Sequence, residues 1–143
     1  MTGTLTIRDE TLDGREAEGG GVRLSLDDLA ETVTVRELIR ARVYQEVDDH
    51  NRRVRTAGDD AQPYNGLVTP TAAERQLNGP RQGKALAREI DWRKSFDAAC
   101  DAFERNGFLV LVDDRQAESL EERVTLSPSS DVAFVRLTML VGG

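Results

Sequence analysis

The residues of this sequence that could take part directly in chemistry are the last two, Gly142 and Gly143. They directly follow residues 132–141, a mostly apolar run typical of a strand. Glycine weakens a strand because it has no side chain to pack, so folding does not require this pair. Without a Cβ, both residues can cross a narrow groove in conformations closed to other residues. Their terminal carbonyl also stays open to a nucleophile, but the pair alone does not specify a reaction.

The side chains offer no catalytic group of comparable clarity. His50 is the single histidine and is predicted to lie solvated at a helix end, away from any metal site. Cys100 lies on an apolar stripe, which favours a buried core position over a nucleophile. Carboxylate pairs such as Asp113-Asp114 fall at turns and element ends, and residues 19–21 lack the lysine of a phosphate loop. We therefore expect no enzyme activity, no bound cofactor and no metal.

Composition and charge narrow the class of protein further. The chain has 143 residues, 19 Lys and Arg against 26 Asp and Glu, and a formal net charge of −7. This balance argues against nucleic acid as the main partner. A mean hydropathy of −0.49 and short apolar runs indicate a soluble protein that does not span a membrane. A lone cysteine and an N-terminus without an export signal predict a cytoplasmic location.

The N-terminal half predicts a hairpin followed by a helix. Residues 4–7 and 22–26 alternate between polar and apolar types, as half-buried strands do. The sequence from Thr34 to Glu37 fits a capping box, in which a threonine hydroxyl and a glutamate satisfy the first helical N–H groups. The helix is predicted over residues 35–50. The positions of its buried face are Val35, Leu38, Ile39, Arg42, Val43 and Val47.

The C-terminal half predicts two more helices, over residues 70–78 and 92–106, and then further strands. The second of these helices should bury Trp92, Phe96 and Phe103 and end at Asn106-Gly107. The strands are expected at residues 108–112, around 124–126 and at 132–141.

Packing one helix across one face of a mixed sheet gives an α+β fold, a ubiquitin-like β-grasp with its first and last strands adjacent and parallel. The expected organisation is a single domain, residues 1–143, with a helical insertion at residues 51–107 between the first helix and the third strand.

Two stretches of the chain resemble a known family. Residues 113–120 and the run to Gly143 look like the C-terminal half of ubiquitin-like modifiers, where an apolar strand turns, passes through a leucine-bearing polar stretch and ends in a strand and a free diglycine. Residues 34–39 are similar to the helix start of the sulfur carriers of molybdopterin and thiamin synthesis. The resemblance covers residues 1–50 and 108–143. The apolar residues 138–141 differ from the arginine-rich tail of ubiquitin.

The resemblance implies a role as substrate and tag. In that family an activating enzyme uses ATP to adenylate the terminal carboxylate, and a thiolate then takes the acyl group as a thioester. Gly142 and Gly143 would be the activated terminus, and Met139, Leu140 and Val141 would lie along the partner's groove. The implied partners are an activating enzyme, a conjugating enzyme, a metalloprotease-type deconjugase and a protein target. Similar proteins are encoded in bacterial operons associated with antiviral defence.

Two other functions stay open at the level of sequence. A sulfur carrier would use Gly143 as a thiocarboxylate, although such carriers are usually smaller than this chain. A plain interaction module would use the sheet and the insertion, and Gly142-Gly143 would then be incidental, a frayed terminus of small residues.

Overall fold

The computed structural model describes residues 3–11, 22–27, 29–57, 67 and 89–137. These residues form seven strands and two helices. The strands are β1 (Thr4–Thr11), β2 (Val22–Ser25), β3 (Thr32–Thr34), β4 (Phe108–Val112), β5 (Arg115–Gln116), β6 (Arg123–Thr125) and β7 (Val132–Arg136). The helices are α1 (Val35–Ala57) and α2 (Trp92–Glu104). The predicted helix over residues 70–78 lies outside the described residues.

Five strands form one mixed sheet in the order β2-β1-β7-β4-β5. The first and last strands are adjacent and parallel, as the sequence predicted, with Ile7 opposite Val132 and Asp9 opposite Phe134. The other pairs are antiparallel, and β7 is the central strand. A separate two-stranded ladder joins β3 to β6. The fold is therefore α+β with a mixed sheet, and both β3 and β5 are additions to the predicted strands.

The start of α1 is held by three different acceptors. The Glu37 N–H donates to the Thr34 hydroxyl at 3.1 Å, which is the predicted cap. The Val35 and Arg36 N–H groups donate to the carbonyls of Glu122 and Leu120 at 2.8 and 2.9 Å. The Glu37 carboxylate accepts a hydrogen bond from the Thr34 hydroxyl. In the predicted capping box it would accept one from a backbone N–H. Three of the four N–H groups that a helix start leaves open are thus satisfied.

Helix α1 is longer than the sequence predicted. It ends at Ala57, whereas the predicted end was residue 50. The polar residues near the predicted end form pairs one turn apart, which support a helix. Gln45 donates to Asp49 at 3.0 Å, and Arg52 forms an ion pair with Asp48. His50 therefore lies within α1 and not at its end. Its side chain is also buried, at 1% exposure. The prediction of a solvated His50 at a helix end was wrong.

The chain divides into two compact units, one of Met1–Arg42 with Cys100–Gly143 and one of Val43–Ala99. The first unit contains all seven strands, and its core follows the alternation of the strands. In β4, for example, Phe108, Val110 and Val112 are buried, and the two leucines between them are only partly so. Phe108 packs between Phe103 and Phe134, with ring centroids 5.8 and 5.7 Å away.

The described residues of the second unit are the rest of α1, Leu67, residues 89–91 and the start of α2. Tyr44 meets Trp92 edge to face at 5.4 Å, and Trp92 lies 6.4 Å from Phe96. Asn51 accepts the Ile90 N–H and donates to the Ile90 carbonyl. Trp92 and Phe96 are half-buried, so the prediction that α2 buries its three aromatic side chains is confirmed for Phe103 and holds only in part for the other two.

Two predicted chain reversals are confirmed by backbone angles. Asn106 follows α2 with a φ of 62°, and the Gly107 N–H returns to the Ala102 carbonyl at 2.7 Å, which closes the helix. Asp113 and Asp114 have φ values of 51° and 68° and join β4 to β5. Positive φ at both central residues is typical of the tightest hairpins, and aspartate tolerates it better than most residues do.

Candidate functional site

The described part of the chain that leads to the predicted reactive terminus is the end of β7. This strand lies between β1 and β4, so both of its edges are hydrogen-bonded and its position is fixed from two sides. Val132 and Phe134 are both 0% exposed. One residue beyond the strand, the Leu137 N–H donates to the Gly107 carbonyl at 3.2 Å. The chain is thereby held to the start of β4 as far as residue 137.

A buried ion pair lies on the α1 side of this strand. Both nitrogens of the Arg42 guanidinium fork donate to the Asp9 carboxylate, the second of them at 2.7 Å. Arg42 is 0% exposed and Asp9 5%. The Arg42 guanidinium also lies over the Phe134 ring, 4.6 Å from its centroid. A bidentate pair stacked on an aromatic face is the arrangement in which arginine is best satisfied away from water.

Arg136, the last residue of β7, completes this cluster. Its Nη2 lies 3.8 Å from Oδ2 of Asp9, and its side chain is 26% exposed. Asp9 therefore faces one guanidinium from α1 and another from the end of β7. The cluster ties α1, β1 and β7 together at the point from which the chain continues towards its C-terminus. We call Asp9, Arg42 and Arg136 the strand-end cluster.

The sequence predicted other residues as the site. Gly142, Gly143, Met139, Leu140 and Val141 all lie outside the described residues. The structure therefore shows where the preceding strand lies and leaves those assignments as predictions.

Sequence reasoning missed Asp9, although a signal was present. Leu5, Ile7 and Asp9 share one face of β1 by alternation, and Arg42 occupies a core position of the predicted helix face. Opposite charges at two core positions indicate a buried ion pair, because an isolated buried charge is too costly.

The surface of the first unit also carries ion pairs. Arg36 donates to Glu121 at 2.7 Å, and this hydrogen bond holds the pKa of the Glu121 carboxyl below its usual value. Arg8 donates to Asp131 at 2.6 Å and to Glu10 at 2.8 Å. The hydrogen bond to Asp131 is the main reason why the pKa of Arg8 is raised. These surface ion pairs contribute little to the free energy of unfolding.

The remaining reactive side chains are placed as follows. Cys100 is buried, as predicted, at 8% exposure. Among the residues that the structure describes, no group of three or more His, Cys, Asp or Glu side chains is placed to hold a metal ion. No helix in the described ranges is both long and apolar enough to cross a membrane.

No protein-family model, curated protein or solved structure matches the chain.

Proposed function

We propose that this protein is a ubiquitin-like modifier with a β-grasp fold, activated at Gly143 and transferred to a protein target. The observation that carries the proposal is the position of β7. It is the central strand, parallel to β1, and Gly142-Gly143 follows its last residue, Arg136, by only a few positions. A terminus that must enter another protein's active site needs a rigid base of this kind.

The topology supports the β-grasp assignment. A hairpin of β1 and β2 leads to a helix whose first turns pack on one face of the sheet, and the final strand returns to the centre beside β1. Arg42 on α1 reaches Asp9 and Phe134 on this face. The helix and the two central strands are thereby fixed to one another, as in the expected grasp.

The strand-end cluster gives the proposed site its rigidity. Asp9 interacts with Arg42 inside the core and with Arg136 at the last position of β7. Separating the buried Arg42 and Asp9 would leave each charge without its ion-pair partner, which opposes movement of α1 relative to β1. In the proposed function the cluster fixes the end of β7, from which the chain continues towards Gly143.

The chemistry would take place on a partner enzyme. A Gly143 carboxylate oxygen attacks the α-phosphorus of ATP, pyrophosphate leaves, and an acyl adenylate forms. A cysteine thiolate of the enzyme then attacks the carbonyl carbon and displaces AMP, which gives a thioester. Transfer to a target nucleophile breaks the thioester and returns the thiolate. Gly142 and Gly143 leave room for each attack because neither carries a side chain.

The proposed function is tested with a chain that ends at Gly143. It is incubated with ATP and an activating enzyme encoded beside it, and the products are followed by intact mass and by non-reducing gels. We expect an enzyme-linked species that reducing agent removes and that requires ATP. A chain that lacks Gly143 is the matched control and should give none. Equal transfer of both chains would overturn the proposal, leaving an interaction module. Replacement of one terminal oxygen by sulfur would identify a sulfur carrier.

A further inference from the structure

A cavity of about 410 Å³ opens in the first unit between the end of α2 and the segment that follows β5. This volume lies in the range of small-molecule and side-chain pockets. Its floor is apolar and is formed by Phe103, Phe108, Ala117 and Leu120, each no more than 7% exposed. The cavity is separate from the strand-end cluster and plays no part in the proposed acyl chemistry.

Three carboxylates stand around this apolar floor. Glu104 comes from the last residue of α2, and Glu118 and Glu121 come from the segment after β5. All three are exposed. Arg36 pairs with Glu121 and also interacts electrostatically, without a direct ion pair, with Glu104. No ion pair of the described residues involves Glu118. None of the residues that line the cavity in the described chain is a cation.

The segment that carries two of these carboxylates is held in place by the backbone. The Ala117 N–H donates to the Val110 carbonyl at 2.9 Å, and the Leu120 carbonyl accepts the Arg36 N–H. The Glu118 N–H donates to the Glu122 carboxylate at 2.9 Å. A ligand therefore meets a preformed rim and loses little free energy in ordering it.

We propose that this cavity docks a short basic peptide segment of a partner protein, with an apolar residue next to arginine or lysine. The leucine-sized apolar group would lie on Phe103, Phe108 and Leu120. The neighbouring cation would meet Glu104 and Glu118, two carboxylates of the rim. Charge complementarity selects this occupant, since an acidic or neutral peptide gains nothing from the rim. The formal net charge of −7 also favours approach of basic segments.

The test is an NMR titration of the full-length chain, labelled with ¹⁵N, with the capped peptide acetyl-Leu-Arg-Arg-amide. We expect amide shifts concentrated at residues 103–109 and 116–121. The double variant Glu104→Gln/Glu118→Gln should bind at least about tenfold more weakly, as expected for losing the contacts of two charged groups. Glu31→Gln removes an exposed carboxylate that does not line the cavity and should bind the peptide as the unchanged chain does.

Two further ligands separate the apolar contribution to peptide binding from the ionic contribution. Acetyl-Gly-Arg-Arg-amide should bind more weakly because it lacks the group for the floor, and spermine should give no comparable shifts. Shifts spread over all acidic surfaces, equal binding by spermine, or unchanged affinity of the double variant would each overturn the proposal. Amide spectra of each variant without peptide report whether its fold is intact, and any variant that fails this check is replaced by Glu118→Gln alone.

Discussion

Arg42 and Asp9 form a two-pronged ion pair that is almost completely hidden from water, with Nη2 of Arg42 at 2.7 Å from Oδ2 of Asp9. The pair links α1 to β1, and the Arg42 guanidinium also covers the Phe134 ring of β7. Each charge stabilises the other, because burial removes most of the water around both of them. The most polar residues of the core therefore join the three elements on which the proposed function depends.

The first prediction concerns this pair. Arg42→Met or Asp9→Leu alone should lower the free energy of unfolding by about 3–5 kcal/mol, since each takes the ion-pair partner away from a buried charge. The double variant should lose much less than the sum of the two, because both buried charges are gone and Arg136, with a side chain that is 26% exposed, still contacts water. Urea unfolding of the four proteins measures the coupling. Arg53→Met removes an exposed arginine and should have almost no effect. Additive losses in the double variant would contradict the ion-pair interpretation.

The second prediction separates the two ends of α2. Phe103 is buried against Phe108, whereas Phe96 is half-buried. Phe103→Ala should cost about 3–5 kcal/mol through lost burial and a residual cavity. Phe96→Ala removes the same atoms and should cost clearly less, because part of the ring already contacts water. Thermal or urea unfolding provides the comparison, and equal losses would mean that both rings are equally buried.

The contrast between Phe96 and Phe103 shows what helical periodicity can and cannot predict about burial. The helical spacing correctly placed Phe103 in the core and correctly located α2. It treated Trp92 and Phe96 as equivalent to Phe103, because a stripe on a helix says nothing about where its partner elements end. In the structure the start of α2 packs beside Tyr44, which is itself 50% exposed, so this end of the stripe is covered only in part.

The same difference is seen for the strands. Some of their features can be predicted from the local sequence, and others depend on tertiary contacts. The parallel pairing of the first and last strands followed from the order of elements and from the apolar runs. β3 and β5 were missed because they have only three and two residues, too few for a recognisable alternation. The extent of α1 was underestimated because its later turns are polar and depend on pairs such as Arg52 with Asp48. Of the strand-end cluster, only the core position of Arg42 was anticipated.

The third prediction is a pH effect. The hydrogen bond from Arg36 lowers the pKa of Glu121 below its usual value. Arg36→Ala should therefore raise this pKa towards that of an exposed glutamate, which carbon-detected NMR of the side-chain carboxyl can follow. A depressed folded pKa means that the pair's stabilising effect is fully present above the unfolded pKa of glutamate, about 4.3. This contribution is lost as the pH falls through the lower folded value.

Arg55 provides the control in the same titration. Arg55→Ala removes an exposed arginine that pairs with Glu89, and it should leave the titration curve of Glu121 unchanged. An unaltered curve for Glu121 in the Arg36→Ala variant would show that Arg36 does not set its pKa.

The last prediction separates reaction from stability at the terminus. Gly142→Val places a β-branched side chain next to the carbonyl that must be attacked, and it should abolish formation of the adenylate and the thioester. We expect its free energy of unfolding to match that of the unchanged chain within about 0.5 kcal/mol, because the proposed function gives Gly142 a part in the reaction and none in the core. Asp9→Leu, by contrast, should cause a large loss of stability. Urea unfolding and intact mass after incubation with the activating enzyme measure the two effects. If Gly142→Val formed the thioester at the unchanged rate, an open diglycine would not be required, and the modifier and sulfur-carrier hypotheses would both fail.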